Sequence, residues 1–305
     1  MSAPLLSDPL GGPTDPTVIR DEQTGQWRMF YTQRRPSDPG HGVEWVHGSR
    51  IGMAVSDDGA HWHYRGVVDG LDPADEPGLN THWAPEVVWD GGQYSMYLTW
   101  IRGVASTWAG HERRIAHLVS DDLENWEHRG FLELSSNYVI DAAVARTPDG
   151  LLRLWYKDEA DGSTTWAAVS PDGQSWTVEG RVIDGLPHEG PNVFPLAGWM
   201  WMIVDEWRGQ RVYRSHDGVH WTAQGLILDA PGKHPEDRQV GRHADVVVRG
   251  EEAVAFYFTH PEWDGSNDVE LQSGALRRSE VQRARLWVAG GTLICDRDAP
   301  VDALR

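Results

Sequence analysis

The chain has 305 residues, with 27 Lys and Arg against 46 Asp and Glu, so its formal net charge is −19. This acidic balance argues against a nucleic-acid-binding or membrane-binding protein, because both kinds of partner require a basic surface. Hydrophobic residues make up 40% of the chain, enough for a packed core, and the single cysteine, Cys295, excludes an internal disulfide.

The N-terminal segment does not resemble a secretory signal. Residues 1–19 contain no basic side chain and no long apolar stretch. The longest apolar stretches of the chain, such as 196–204, are shorter than the ~20 residues that cross a bilayer. We therefore expect a cytoplasmic protein without a membrane span.

One β-rich unit occurs five times along the chain. The opening patterns are DPTVI (15–19), APEVVW (84–89), DAAVA (141–145), GPNVF (190–194) and HADVVV (243–248). The aromatic-rich strands that follow them are WRMFYTQ (27–33), YSMYLTW (94–100), LRLWYKD (152–158), WMWMIVDEW (199–207) and AVAFYFTH (253–260). Four units continue through a third strand to an S-x-D-x-x-x-W turn and a fourth strand. These turns lie at 56–62, 120–126, 170–176 and 215–221.

Five units of four strands predict an all-β protein, a five-bladed β-propeller with four antiparallel strands per blade. We expect residues 1–305 to form a single domain whose blades open near residues 15, 84, 141, 190 and 243. A sandwich fits this repeat less well, and the lack of helical stretches excludes alternating parallel βαβ units. In the S-x-D-x-x-x-W element we expect serine and aspartate to bind backbone while tryptophan wedges between blades.

Repeat symmetry also predicts a pocket. The first strands of a propeller line its channel, so their starting residues form a column around one mouth of the axis. This column contains Asp15 and Asp141, and Glu189 directly precedes its fourth member, Gly190. Closely spaced carboxylates cannot all ionise easily, so one stays protonated. A protonated and an ionised carboxyl group together suit the acid and the base of an inverting glycosidase.

The segments that carry this pattern resemble glycoside hydrolase family 43 and its five-bladed relatives. The matching segments are TDPTVI, HWAPEVVW, VIDAAV, HEGPNVF and GRHADVVV, which span residues 14–260. The resemblance implies that Asp15 is the general base and Glu189 the general acid. It implies that Asp141 raises the pKa of the acid and orients it. His243 would lie near the channel, beside a structural calcium ion reached through water, and no other cofactor is expected.

Two residues depart from the family pattern without removing a catalytic carboxyl group. Glu86 stands where aspartate is common, and alanine follows Asp141 where proline is frequent. The opening Thr14-Asp15-Pro16-Thr17 differs from the Asn-Asp-Pro-Asn of the related retaining fructosidases and disfavours that group. Neoagaro-oligosaccharide hydrolases and other anhydrosugar or furanoside enzymes on five blades remain open.

Several other residues are candidates for binding sugar. Tryptophan rings suit the C–H-rich faces of sugars, and the candidates for stacking are Trp83, Trp100, Trp108, Trp45 and Trp207. We prefer Trp83, because it flanks the column. Arg242 and His82 are candidates for hydrogen bonds to hydroxyl groups. The inserts at 34–50 and 101–114 would lie over the propeller face and set substrate choice.

The leading functional hypothesis is an inverting glycoside hydrolase that acts on an oligosaccharide or glycoside with pentose-type linkages. Arabinofuranosidase and β-xylosidase activities are the first candidates. A non-catalytic glycan-binding propeller is the second hypothesis, although a binding module needs no proton donor. The third is a non-hydrolytic enzyme, such as a lyase, phosphorylase or cyclase, that uses the same pocket.

Overall fold

Five antiparallel sheets follow one another along the chain, and each contains four strands. The computed structural model describes residues 4–76, 78–265 and 273–304. In chain order the strands are β1 Pro13–Arg20, β2 Trp27–Gln33, β3 Arg50–Ser56, β4 His63–Val67, β5 Thr81–Trp89, β6 Tyr94–Ile101, β7 Arg114–Ser120, β8 Glu127–Phe131, β9 Val139–Arg146, β10 Leu152–Asp158, β11 Thr164–Ser170, β12 Thr177–Ile183, β13 Glu189–Leu196, β14 Trp199–Asp205, β15 Gln210–Ser215, β16 Thr222–Ile227, β17 Ala244–Arg249, β18 Glu252–Thr259, β19 Glu280–Ala289 and β20 Thr292–Asp296. The described helices are a 3₁₀ turn at Pro235–Asp237 and α1 at Gly274–Arg277.

The sheets form a closed ring. Within each sheet the strands are ordered as they occur in the chain, so every blade is built from one continuous segment. The first strand of each blade contacts the first strand of the next, and β17 contacts β1. The predicted five-bladed propeller is therefore confirmed. Within the described ranges, no helix is long and apolar enough to cross a bilayer.

The tryptophans of the repeated turns hold neighbouring blades together, as the repeat predicts. Each contacts an aromatic ring on the second strand of the preceding blade, with centroids 5.7–6.1 Å apart and edge-to-face geometry. The pairs are Trp62 with Phe256, Trp126 with Phe30, Trp176 with Tyr97, and Trp221 with Trp155. Because the second strands are covered on both faces, they read as nearly continuous apolar runs, as in β14.

The serine and aspartate of each turn bind backbone. In blade four, the Gly218 N–H donates to Ser215 Oγ at 2.8 Å. The N–H groups of Val219 and His220 donate to Asp217 Oδ1 at 2.9 and 2.8 Å. These turn carboxylates therefore serve the fold.

Candidate active site

A β-bulge near the start of the first strand sets the direction of the column residues in four blades. The pairing register shifts by one residue there in β1, β5, β9 and β13. The column residues at these bulges have positive φ: Asp15 50°, Ala84 42°, Asp141 58° and Gly190 58°. Such left-handed backbone is costly for residues other than glycine and is typical of functional sites. The fifth column residue, His243, directly precedes the regular strand β17.

Three of the column residues, Asp15, Asp141 and His243, line a cavity of about 630 Å³. Three carboxylates and six further candidate residues line its wall. These are Asp15, Asp141, Glu189, Trp45, Trp83, Trp108, Trp207, Arg242 and His243. Both predicted inserts contribute, since Trp45 belongs to 34–50 and Trp108 to 101–114. The three carboxylates come from blades one, three and four, which is the arrangement that repeat symmetry predicts.

Asp15 is buried among donors but is not tightly bound by them. Thr14 Oγ1 donates to its Oδ2 at 3.0 Å. Arg34 Nη2 lies 3.7 Å from Oδ2, and His243 Nδ1 lies 3.6 Å from Oδ1. These two distances exceed that of a strong charge-assisted hydrogen bond, so the carboxylate oxygens keep capacity to accept a further hydrogen bond.

Asp141 has the electrostatics of a carboxyl group that retains its proton. Burial raises its pKa to about 7, with His243 and Lys157 opposing the rise and the charges of Glu189 and Asp15 adding to it. Its Oδ2 accepts the Gly190 N–H at 3.1 Å. Asp141 therefore fixes the backbone beside Glu189.

Glu189 lies between a cation and an indole. Lys157 Nζ is 3.1 Å from Glu189 Oε2, and Trp207 Nε1 donates to Oε1 at 2.8 Å. Burial raises the pKa of Glu189, but Lys157, Trp207 and His243 outweigh it and the net shift is downward. In the free protein the proton thus favours Asp141 over Glu189, whereas the family resemblance implies a raised pKa for Glu189.

Several titratable residues of the site were missed in the sequence. Asp205 pairs with Glu189 across the β13–β14 ladder, and it accepts the His243 N–H at 3.1 Å. Burial and the charge of Glu189 raise the pKa of Asp205 to about 6, against the opposing effect of Arg242. The missed residues that line the cavity itself are Arg34, Arg113, Lys157, Glu159 and His260. Most of these residues lie at or just beyond the end of the second strand of a blade. Antiparallel pairing brings that end beside the start of the first strand, so this position in the sequence could have identified them.

His82 and Trp100 require a correction, because neither lines the cavity. They are cross-strand partners on β5 and β6, and neighbouring residues of a strand face opposite sides, so His82 points away from the face occupied by Trp83. His82 Nε2 and Trp100 Nε1 lie 3.0 and 2.9 Å from Asp72 Oδ1. Burial raises the pKa of Asp72, but these contacts prevail and hold it at about 2. The two side chains therefore hold a loop carboxylate in place.

The residues near His243 test the expected calcium ion. Within residues 4–76, 78–265 and 273–304, no cluster of three or more His, Cys, Asp or Glu side chains is arranged to hold a metal. Glu86 and Asp245 are buried near the axis, but Glu86 Oε1 accepts the Val144 N–H at 2.8 Å and Asp245 Oδ1 accepts Asn192 Nδ2 at 2.9 Å. A calcium ion beside His243 would need water for most of its ligands, and it stays a prediction.

Comparison with known proteins places this fold among glycosidase structures. No protein-family model and no curated protein matches the sequence. A thermostable family 43 glycoside hydrolase matches with a TM-score of 0.71 at 17% identity, covering 96% of both chains. A family 43 enzyme from Xanthomonas citri complexed with xylotriose matches with a TM-score of 0.69 at 17% identity, covering 96% of this chain and 93% of the other.

A family 117 glycoside hydrolase from the marine bacterium Zobellia galactanivorans has a TM-score of 0.68 at 16% identity, with 98% of this chain and 91% of the other covered. At these identities the likeness establishes the five-bladed fold. The resemblance read from the sequence motifs is thus confirmed at the level of fold.

Proposed function

We propose that this protein is an inverting glycoside hydrolase with Asp15 as general base and Glu189 as general acid. The observation that carries the proposal is the meeting of three carboxyl groups from separate blades in one cavity. Burial raises the pKa of Asp141 to about 7, whereas Lys157 lowers that of Glu189, and acid–base catalysis requires carboxyl groups that differ in protonation state. A propeller that only bound glycans would not need a buried carboxyl group whose pKa is raised to about 7.

Each carboxyl group has a distinct role in this reaction. Asp15 takes a proton from a water molecule as the water oxygen attacks the anomeric carbon. The glycosidic C–O bond breaks on the opposite face, and Glu189 protonates the leaving oxygen. Because attack and departure occur on opposite faces, the configuration inverts. Asp141 is a positioning residue that holds the Gly190 N–H and thereby the backbone beside the acid.

The acid role of Glu189 implies a pH dependence. Lys157 favours the ionised form of Glu189 in the free protein, so the fraction of protein with a protonated acid falls as the pH rises. The proposed enzyme should therefore lose activity on the alkaline side. The charge of Lys157 sets the pH at which this activity is lost.

Pentose-type glycosides are the first candidate substrates, with arabinofuranosides and xylosides leading. The family 43 structure from Xanthomonas citri that shares this fold is complexed with xylotriose. The aromatic side chains Trp83, Trp108 and Trp207 in the cavity wall suit the apolar faces of short sugars. Trp108 and Trp207 are also exposed, which leaves their rings available for stacking.

Nitrophenyl arabinofuranosides and xylosides of both anomers test the proposal. Asp15→Asn and Glu189→Gln should each lower kcat by about 10²–10⁴-fold, while Asp217→Asn, in a turn outside the cavity, should keep the parental rate. Unfolding midpoints of all variants should be compared to exclude loss of fold. Parental rates in either cavity variant would refute the assignment, and glycan binding by calorimetry without any product would favour a binding propeller.

A further inference from the structure

One wall of the cavity carries two arginines from blades one and five. Arg34 follows β2 and Arg242 precedes the column residue His243. The Arg34 guanidinium lies 5.5 Å from the centre of the Phe258 ring, and that of Arg242 lies 5.2 Å from the Trp263 ring. Both arginines line the cavity, and Arg34 lies 3.7 Å from the proposed base, Asp15.

The cations of the opposite wall are neutralised by acids of the protein. Lys157 Nζ lies 3.3 Å from Glu159 Oε1 and 3.1 Å from Glu189 Oε2. Arg113 forms an ion pair with Glu159 and donates to the Trp108 carbonyl. These two cations therefore have little capacity left for a ligand.

Arg34 and Arg242 have fewer acidic partners than the cations of the opposite wall. In the part of the chain that the structure describes, Arg34 pairs only with Asp15, at 3.7 Å, and its buried Nε has no hydrogen-bond partner. In the same part of the chain, the Arg242 guanidinium forms no ion pair and no hydrogen bond. Its charge lowers the pKa of Asp205, but without direct contact. A partly buried cation without a partner is unfavourable unless a ligand supplies one.

His260 does not account for the imbalance. Its Nδ1 donates to the Arg278 carbonyl at 2.9 Å. Burial, together with the charges of Arg34 and Arg242, lowers the pKa of His260 to about 3, so it is neutral at physiological pH. Among the described residues, Asp15 is thus the one acid that forms an ion pair with either guanidinium group, and Asp205 acts on Arg242 only at longer range.

We propose that this wall binds an anionic substituent of the sugar substrate, a carboxylate or a sulfate ester, between Arg34 and Arg242. Planar guanidinium groups match the oxygens of such anions with paired, charge-assisted hydrogen bonds. The aromatic rings beside them reduce competition from water. This inference rests on the proposed function for the identity of the substrate, but binding can be measured without turnover.

Calorimetry with three sugars of similar size tests the inference. Methyl glucuronide carries a carboxylate, glucose 6-sulfate carries a sulfate ester, and methyl glucoside is neutral. One of the anionic sugars should bind at least about tenfold more tightly than the neutral one. Arg242→Gln should remove most of this preference, and Arg242→Lys should retain part of it. Arg208→Gln is the matched control, because Arg208 is exposed and paired with Glu206.

Each outcome decides the question. A preference for glucuronide identifies uronic acids as the source, and a preference for the sulfate identifies sulfated sugars. Equal binding of all three sugars, a preference that survives Arg242→Gln in folded protein, or no binding of either anion at millimolar concentration would overturn the inference. Arg242-dependent binding without hydrolysis of any glycoside would instead refute the proposed function alone. Hydrolysis of neutral pentosides without an anion preference would refute the inference alone.

Discussion

Lys157 offers the sharpest perturbation of the proposed acid. Lys157→Met keeps the length of the side chain and removes the charge that lies 3.1 Å from Glu189 Oε2. At this separation two unit charges attract by about 1.3 kcal/mol at a dielectric constant of about 80 and by about 5 kcal/mol at about 20. One pKa unit corresponds to about 1.4 kcal/mol. Because the Glu189 side chain remains 28% exposed, we expect its pKa to rise by about one to two units.

The pH profile of kcat/KM measures this shift, since it reports the pKa values of the free enzyme. The sign follows from the charge: a cation stabilises ionised Glu189, so its removal keeps the acid protonated to higher pH. The alkaline limb in Lys157→Met should therefore move upward by about one to two pH units. Lys233→Met is the matched control, because Lys233 is 87% exposed and does not line the cavity. An alkaline limb that stays in place or moves downward would refute the electrostatic reasoning.

Two further substitutions test the backbone of the site and of the turns. An alanine Cβ at Gly190 would lie 2.6 Å from His243 Cγ at a φ of 58°, so Gly190→Ala should lower the free energy of unfolding by about 1–3 kcal/mol and reduce kcat. Gly150→Ala, whose Cβ meets no atom within 4 Å, should cost less, and equal losses in urea unfolding would contradict this account. Asp217→Ala should lower the free energy of unfolding by about 1–3 kcal/mol without changing kcat, whereas a loss of activity at unchanged stability would place that carboxylate in the mechanism.

The blade architecture could be predicted because its signals are local. In four blades the turn is specified by a serine, an aspartate and a tryptophan within seven residues, and in all five the second strand is marked by an aromatic-rich segment. Radial symmetry then brings the starts of the first strands together, which is why the positions of Asp15, Asp141 and Glu189 followed from alignment of the repeats. None of these steps required knowledge of side-chain contacts.

The charged residues that set the pKa values of Asp141 and Glu189 could not be predicted by counting residues from the turns. Each bulge adds one residue to the first strand, so Lys157 lies opposite Ile140 and Asp205 opposite Glu189 only after a one-residue shift. The same difficulty explains His82, because the face that it occupies depends on pairing and strand alternation. The sequence therefore indicated which carboxyl groups meet, but not which of them keeps the proton.

The stereochemistry of hydrolysis tests the central claim most directly. Proton NMR of the first sugar released from an arabinofuranoside or xyloside that the protein cleaves shows the anomer before mutarotation. The account predicts release of the anomer opposite to that of the substrate, since water activated by Asp15 attacks the face opposite the leaving group. Release of the same anomer as in the substrate would contradict the assignment of Asp15 as a base and of the reaction as a single displacement.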